Sequence, residues 1–599
     1  MGRHIKFSNE KVNFKPGISK MFKSLKKYYV SILVSLFCTA MSVVLAIFAP
    51  QILSKLSDII FDGASTNSID LNEVSKIAIT LVVFYVSNAL LQYIAEVIMN
   101  TVTQKYARDL RKNISDKINK LELKYFDSRA HGETLSIVTN DVDTLGSSLQ
   151  QSVTMICESV LTLTGVLIAM FITSWQMALT VLASLPLIFL MLLIITKFAV
   201  PLFKKRQEEI AEINGVVEEN YSGLLVTKAF NAEEEKSTQF EKVNKRLNKT
   251  MFKAQFFGGL MQPMMSFISY FAYSTVCLVG GLLMSNGNII TFGTITAFLV
   301  YVNLFQSPLS QIAQAMNNLQ MAAASSNRIF NFLAEPELKD DSNKPNRLLV
   351  ENNSIKGSVE FKNVSFGYDK DKLIIPDFSA KIEPGMKVAI VGPTGAGKTT
   401  LVNLLMGFYD INSGDILIDG VSIKDMKKSE IRDIFGMVLQ DSWLFEGTLR
   451  ENIIFNKPNI TEEKLSEIIE DANLTHFIAT LENGIDTEIK DDESISAGQK
   501  QLITIARALV QDSPLLILDE ATSNVDTRTE ILIQEAMDRL TQNRTSFVIA
   551  HRLSTIKNAD LILVMKEGNI VEQGTHEQLL LQNGFYAEIY NSQFTKKSS

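Results

Sequence analysis

Six long apolar runs, nearly free of charge, occupy the first half of this 599-residue chain, and they leave it few ways to fold. Hydrocarbon offers no hydrogen-bond partners, so a backbone that enters it must satisfy its own polar groups, and runs of this length do so as helices. Each is close to the roughly 20 residues that cross a bilayer. They fall near 29–53, 77–99, 153–173, 177–200, 258–284 and 291–309. The outer connections are an acidic loop over 54–76 and two short ones at 174–176 and 285–290. The inner stretches, 100–152 and 201–257, are rich in Lys and Arg and keep a helical apolar period with little proline. This predicts helices that continue well into the cytoplasm.

The first 28 residues carry Arg3, Lys6, Lys11, Lys15, Lys20, Lys23, Lys26 and Lys27. A signal peptide would need a short apolar core and a small-residue cleavage site, and neither follows. The basic cluster places the N-terminus on the cytoplasmic side. Ile18, Met21, Phe22 and Leu25 recur at helical spacing with lysines between them, which predicts an amphipathic helix on the inner membrane face. An even number of spans returns the chain to the cytoplasm. Two acids at membrane depth, Glu96 and Glu158, read either as cavity-facing groups or as headgroup-level or interhelical ion pairs. The Phe and Met residues of the fifth span form an adaptable apolar surface, suited to a promiscuous pocket or to plain packing.

The net charge of −7 and pI of 5.6 give no electrostatic footprint for nucleic acid. Cys38, Cys157 and Cys277 each sit inside an apolar run, so they read as small hydrophobes and not as a disulfide or metal framework. Composition then shifts over 334–357 to Glu, Asp, Lys, Asn, Ser and Pro, which reads as a linker. From 358 onward strand-like and helix-like segments alternate, predicting an α/β domain. The organisation expected is therefore a 1–28 N-terminal segment, a 29–333 transmembrane domain, the 334–357 linker and a 358–599 nucleotide-binding domain.

The second half holds one motif that specifies chemistry. The apolar run Val388 to Val391 reads as a buried strand and ends in Gly392, Pro393, Thr394, Gly395, Ala396, Gly397, Lys398, Thr399 and Thr400, the P-loop pattern. Glycines let consecutive N–H groups turn inward around a phosphate, where a Cβ would obstruct. The helix that follows adds the partial positive charge of its N-terminus. Lys398 supplies a mobile charge for the outer phosphates, and the Thr399 hydroxyl can ligate Mg²⁺. The chain is expected to bind a nucleoside triphosphate.

Further residues carry a family resemblance that covers nearly the whole chain. Val364 to Tyr368, Gly436 to Gln440, Leu515 to Glu520 and Val548 to Arg552 follow in the order and spacing of the nucleotide-binding domain of ABC transporters. With six spans ahead of it, the chain resembles an ABC exporter half-transporter. The fold implied is a membrane α-helical bundle followed by an α/β P-loop ATPase domain. The resemblance implies that Tyr368 stacks on adenine, that Gln440 touches Mg²⁺ or water, and that Asp519 lies near the metal. It makes Glu520 the carboxylate that polarises the attacking water and His551 the group that bridges to the γ-phosphate. It also implies ATP and Mg²⁺ as cofactors, with residence in the bacterial cytoplasmic membrane and its lipid.

Where the family signature is Leu-Ser-Gly-Gly-Gln, this chain has Ile495, Ser496, Ala497, Gly498 and Gln499. The resemblance places Ser496, Gly498 and Gln499 over a nucleotide held by a second domain, and the methyl of Ala497 crowds that approach. The D-loop reads Ser523, Asn524, Val525 and Asp526, the last of which the resemblance places at the nucleotide, and the segment Lys490 to Ser494 also departs from the family pattern. An intact Glu520 with an altered signature resembles one subunit of a heterodimeric bacterial exporter, with a homodimer as the alternative. Segments 126–134 and 220–227 of the inner stretches are expected to dock on nucleotide domains. The activity implied is ATP-driven export of small amphipathic or hydrophobic compounds, multidrug-type. The alternatives are a lipid flippase or an ATP-gated channel or regulatory subunit of the same architecture. A soluble chromosome or repair ATPase would share the P-loop but is excluded by the spans.

Overall fold

A computed structural model of the chain describes residues 14–285, 290–338, 341, 343–344, 355–369, 372–439, 442–489, 495–519, 526–549 and 553–594. They form two units. One runs to Asn119 and resumes over His131–Glu335; the other takes in Lys120–Ala130 and the chain from Pro336.

In the first unit, six helices are long and apolar enough to cross a membrane: Pro16–Thr66, Leu71–Ile118, Gly132–Thr173, Trp175–Ser222, Glu233–Ser285 and Phe292–Leu333. The first five each contain one expected span and extend beyond it, and the sixth covers its span from Phe292, with Thr291 as its cap. The acidic outer loop expected over 54–76 is corrected, because most of it is helix. Acidic composition does not end a helix, whereas a cap does. The first helix stops at Asn67, whose φ of 56° is left-handed, and the second starts after Asp70, whose carboxylate accepts the N–H groups of Asn72 and Glu73. Between the third and fourth helices only Ser174 intervenes, and its hydroxyl accepts the N–H of Met177.

Val166, Met170, Met177, Phe298, Tyr301 and Phe305 are buried together inside this unit. Val30, Phe37, Ile172 and Leu193 point outward, as do Phe267, Tyr270 and Phe271 of the fifth helix. Outward apolar side chains are what a lipid solvent permits. Glu158 is half-buried and Glu96 exposed.

The N-terminal helix Phe14–Ser24 differs from expectation. Met21 and Leu25, read as membrane-facing, are buried in protein, while Phe22 and Lys23 stay exposed. The reason is a close approach to the sixth helix. A Cβ on Gly17 would lie 2.5 Å from the Ala323 carbonyl oxygen, and the Ser326 hydroxyl donates to the Gly17 carbonyl.

Twelve strands can be followed in the second unit: β1 (Val359–Phe366), β2 (Ile375–Ile382), β3 (Lys387–Val391), β4 (Ser413–Ile418), β5 (Val421–Ser422), β6 (Phe435–Val438), β7 (Gly447–Thr448), β8 (Glu488–Ile489), β9 (Leu515–Asp519), β10 (Thr545–Ile549), β11 (Leu561–Lys566) and β12 (Asn569–Gly574). An antiparallel sheet has the order β2-β1-β4-β5, and a six-stranded sheet the order β12-β11-β3-β10-β9-β6. In the latter only the edge strand β12 is antiparallel. Val388, Ala389, Ile390, Leu515, Leu516, Ile517 and Phe547 are all fully buried, which is why these strands read as continuous apolar runs. Register places Ile549 between Ile390 on β3 and Asp519 on β9, so the P-loop and the acid open at the same end of the sheet.

At the outer end of the first unit, the Asp58 carboxylate accepts the Gly293 N–H at 2.6 Å and the Thr291 hydroxyl at 2.9 Å. It thereby caps the sixth helix from the first, beside the stacked rings of Phe61 and Phe292. Asp58→Ala is expected to cost about 1–2 kcal/mol of membrane-unit stability, read as earlier unfolding in mixed detergent micelles. Asp58→Asn retains one acceptor and should lose less.

Candidate functional site

The site is built on the C-terminal end of β3. Gly392 is there because of a close approach: a Cβ on it would lie 2.4 Å from the Met565 carbonyl oxygen of β11. Gly397, with φ of +98°, supplies the left-handed turn that leads into the helix Lys398–Leu405. The loop is braced from both sides. The Ala396 N–H donates to the Pro393 carbonyl, and the Gly568 N–H, from the β11–β12 turn, donates to the Ala396 carbonyl. Pro393, Thr394 and Gly395 stay exposed, while Ala396 is buried as the hinge of the turn.

Lys398 is only 9% exposed, and its Nζ donates to the carbonyls of Gly392 at 2.6 Å and Pro393 at 3.2 Å. Burial lowers the pKa of its ammonium, and the Asp519 carboxylate pulls it partly back up. The loop therefore curls around its own lysine, and Asp519 balances the charge from two strands away. Thr399 is exposed on the first turn of the helix, while Thr400 is buried and lies 3.3 Å from the Tyr368 hydroxyl. Tyr368 is half-buried and held edge-on by Phe366 and Tyr409, with centroids 5.0 Å away in each case.

A Mg²⁺ ion fits the residues present. Among the described residues no three His, Cys, Asp or Glu side chains gather into a cage. An ion carried in on phosphates needs none, because it keeps waters and takes only one or two protein oxygens. Thr399, on the first turn of the helix, and Asp519, at the end of β9, carry oxygens of that kind.

The signature segment opens the helix Ala497–Gln511. Ser496 and Gln499 form a capping box: the Ser496 hydroxyl accepts the Gln499 N–H, and the Gln499 side chain accepts the Ser496 N–H. A hydroxyl used as an acceptor keeps its own proton to donate, so Ser496 is ready for an anion. Ala497 is exposed on the first turn and Gly498 is buried. Asp526, expected at the nucleotide, caps the helix Thr527–Thr541 by accepting the Thr529 N–H, which holds its carboxyl below the usual range. Gln440, Glu520, His551 and the D-loop residues Ser523, Asn524 and Val525 lie outside the described residues.

Two residues here were not singled out in the sequence. Tyr409 belongs to the aromatic cluster around Tyr368, and its hydroxyl donates to the carboxylate of Asp127 on the short helix Leu123–Asp127. A Phe408-Tyr409 pair just past the P-loop helix was a usable signal for the first. Asp127, 282 residues away, lies within the segment 126–134 expected to dock, but no motif marked it as the residue that makes the contact. The segment expected to dock, 126–134, overlaps this element only in part. The other, 220–227, spans a break between the helices Leu185–Ser222 and Leu224–Ala229, with Tyr221, Leu225 and Val226 exposed.

Comparison with known proteins follows the same division of the chain. Residues 32–309 match the family model for the ABC transporter transmembrane region, and 375–523 match that for ABC transporter. The chain is 44% identical over 522 residues to a fatty acid ABC transporter ATP-binding/permease protein of Mycobacterium bovis, spanning 87% of this chain and 82% of that one. It is 37% identical over 556 residues to the uncharacterised ABC transporter ATP-binding protein YfiC of Bacillus subtilis, covering 93% and 90%. An ATP-dependent lipid A-core flippase of Desulfotalea psychrophila is 35% identical over 580 residues, covering 96% and 99%.

The lysine gives the site a pH dependence of known sign. Burial favours the neutral amine, whereas a bound triphosphate favours the ammonium. Nucleotide affinity should be full below the depressed pKa and fall as pH rises through it, beginning below the ordinary 10.5. Titration with a fluorescent ATP analogue across alkaline pH checks this, and Lys398→Ala should remove both the slope and most of the affinity.

Proposed function

The chain belongs to the ABC transporters, with the architecture of an exporter half-transporter, and from that premise we propose that it exports amphipathic, apolar compounds. ATP hydrolysis is coupled to transport in this family, and the protein is a multi-pass protein of the bacterial plasma membrane with its ATPase domain in the cytoplasm. The observation that carries the reading is the braced P-loop, with Asp519 opening at the same sheet end, in a chain with six helices fit to span a membrane.

At the site, Gly392 to Gly397 present backbone N–H groups to the phosphates, and Lys398 turns its ammonium from loop carbonyls to the outer phosphate oxygens. Tyr368 receives the adenine ring. Mg²⁺, when bound with ATP, spreads the charge that develops on the transferred phosphoryl group. Glu520 accepts a hydrogen bond from the attacking water, His551 donates to the γ-phosphate, and Gln440 senses the centre and reports it to the membrane helices. Ser496, Gly498 and Gln499 close over the nucleotide of a second half-transporter, with Asp526 holding the start of the neighbouring helix. ATP binding joins the two nucleotide domains, hydrolysis parts them, and the bundle alternates between inward- and outward-facing states.

The second half-transporter is a different chain. Ala497 adds a methyl where the partner's phosphate must approach, and the Lys490 to Ser494 segment and D-loop depart from the family pattern as well. This chain's P-loop and Glu520, with the partner's signature, form the fast site, and its own signature covers a slow one. For the cargo, a lipid-like amphiphile has support from the relatives described as a fatty acid transporter and a lipid A-core flippase. The outward aromatic side chains of the fifth helix suit lipid or drug alike.

Mg²⁺-dependent ATPase activity of this chain purified alone in lipid, beside Glu520→Gln, tests the pairing. The expected outcome is a folded, ATP-binding chain with little turnover, restored by the partner. Robust turnover abolished by the substitution would establish a working homodimer. ATP-driven uptake of a fluorescent fatty acid, compared with a cationic dye, into inside-out vesicles then separates lipid from drug cargo.

A further inference from the structure

The segment Lys120–Ala130 connects two membrane helices yet packs with the nucleotide unit. The backbone pairs it there, since the Leu338 N–H donates to the Lys120 carbonyl at 2.8 Å and Leu121 bridges to Glu337. Its short helix is stiffened from within. The Arg129 guanidinium lies 4.2 Å over the Tyr125 ring and donates to the Tyr125 hydroxyl. A side-chain tie from Tyr409 to Asp127, at the end of that helix, reaches the nucleotide site.

Tyr409 is 8% exposed, and its ring meets Tyr368 at 86° with 5.0 Å between centroids. Phe366 packs against both rings. Rings wedged edge to face cannot turn independently, so anything that fixes the Tyr368 ring also fixes Tyr409. A cavity of about 270 Å³ runs along this contact, with Glu122 and Lys124 at one side and Gly367, Tyr368, Tyr409 and Lys428 at the other. Burial and the Asp127 carboxylate both push the Tyr409 phenol well above the ordinary tyrosine value, so the proton that makes the tie stays in place.

We propose that Tyr409 is a positioning residue that carries occupancy of the base platform at Tyr368 to Asp127, so that nucleotide binding stiffens the Lys120–Ala130 segment. The inference rests on Tyr368 receiving the adenine, as set out above. A base stacked on Tyr368 holds that ring, the edge contact holds Tyr409, and the charge-assisted hydrogen bond holds the end of the short helix. The segment then answers to the base and not only to the phosphates.

Hydrogen–deuterium exchange of the full chain in lipid nanodiscs tests this, with and without Mg²⁺ and a non-hydrolysable ATP analogue. In the wild type, nucleotide should slow exchange both over 392–400 and over 120–130, the latter by about tenfold, the scale of one hydrogen bond to a charged group. Tyr409→Phe keeps the ring and removes the donor, and Asp127→Ala removes the acceptor. Both should keep the slowing at 392–400 and lose it at 120–130. Asp127→Asn still offers a carbonyl oxygen and should retain both. If Tyr409→Phe and Asp127→Ala raise exchange at 120–130 equally with and without nucleotide, the bond is only structural and the relay is wrong. A wild type with no nucleotide effect at 120–130 also overturns it. Absence of protection at 392–400 in the wild type overturns the nucleotide reading along with the relay.

Discussion

The junction between Val391 and Gly392 is the constraint on which the nucleotide unit depends. β3 is buried on both faces between β10 and β11, so its direction and depth are set by packing. The chain must leave that strand past the Met565 carbonyl, at a distance no side chain would allow. Those two facts fix where the loop begins, and Gly397 and the helix dipole fix what it can hold. Asp519 gains its place in the same way, from the parallel register of β9 with β10. Among the described residues, the phosphate site is set by strand ends and a helix start. Such rigidity suits a group that must hold a highly charged ligand without reorganising.

Legibility in the sequence followed the range of the interaction. The P-loop was readable because strand, glycines and helix are contiguous. The six spans were readable because lipid imposes one secondary structure on any apolar run of that length. Helix ends were not. The helix through the acidic 54–66 stretch ends only where Asn67 turns left-handed and Asp70 caps the next helix, and composition alone does not carry that. Met21 and Leu25 have the spacing of a membrane-surface stripe, yet Gly17 lets the backbone come close enough to Ala323 for protein to take the place of lipid. The Tyr409–Asp127 bond joins residues hundreds of positions apart, and neither one carries a motif.

Capping side chains in the nucleotide unit illustrate how one geometry serves two ends. Asp526 and Ser496 both sit at helix starts and both satisfy backbone N–H groups there. Asp526 is thereby held anionic, which fits a group that orders a helix more than one that shares a proton. Ser496 keeps its hydroxyl proton after accepting, which fits a group that meets an anion. The capping geometry is the same, and the chemistry left over differs.

That difference bears on Ala497. In a helix, Ala is more favourable than Gly by about 1 kcal/mol, so its methyl does no harm to the helix it opens, and the Ser496–Gln499 box beside it is intact. Its cost falls elsewhere, on whatever must approach the exposed first turn closely. A substitution that helps its own fold and hinders only an approaching ligand does not reflect a damaged domain. On the proposed pairing it is a division of labour: one composite site keeps every small residue its phosphate needs, and the other exchanges speed for a firmer helix. On that same pairing, a second chain with the unaltered signature would make the exchange tolerable.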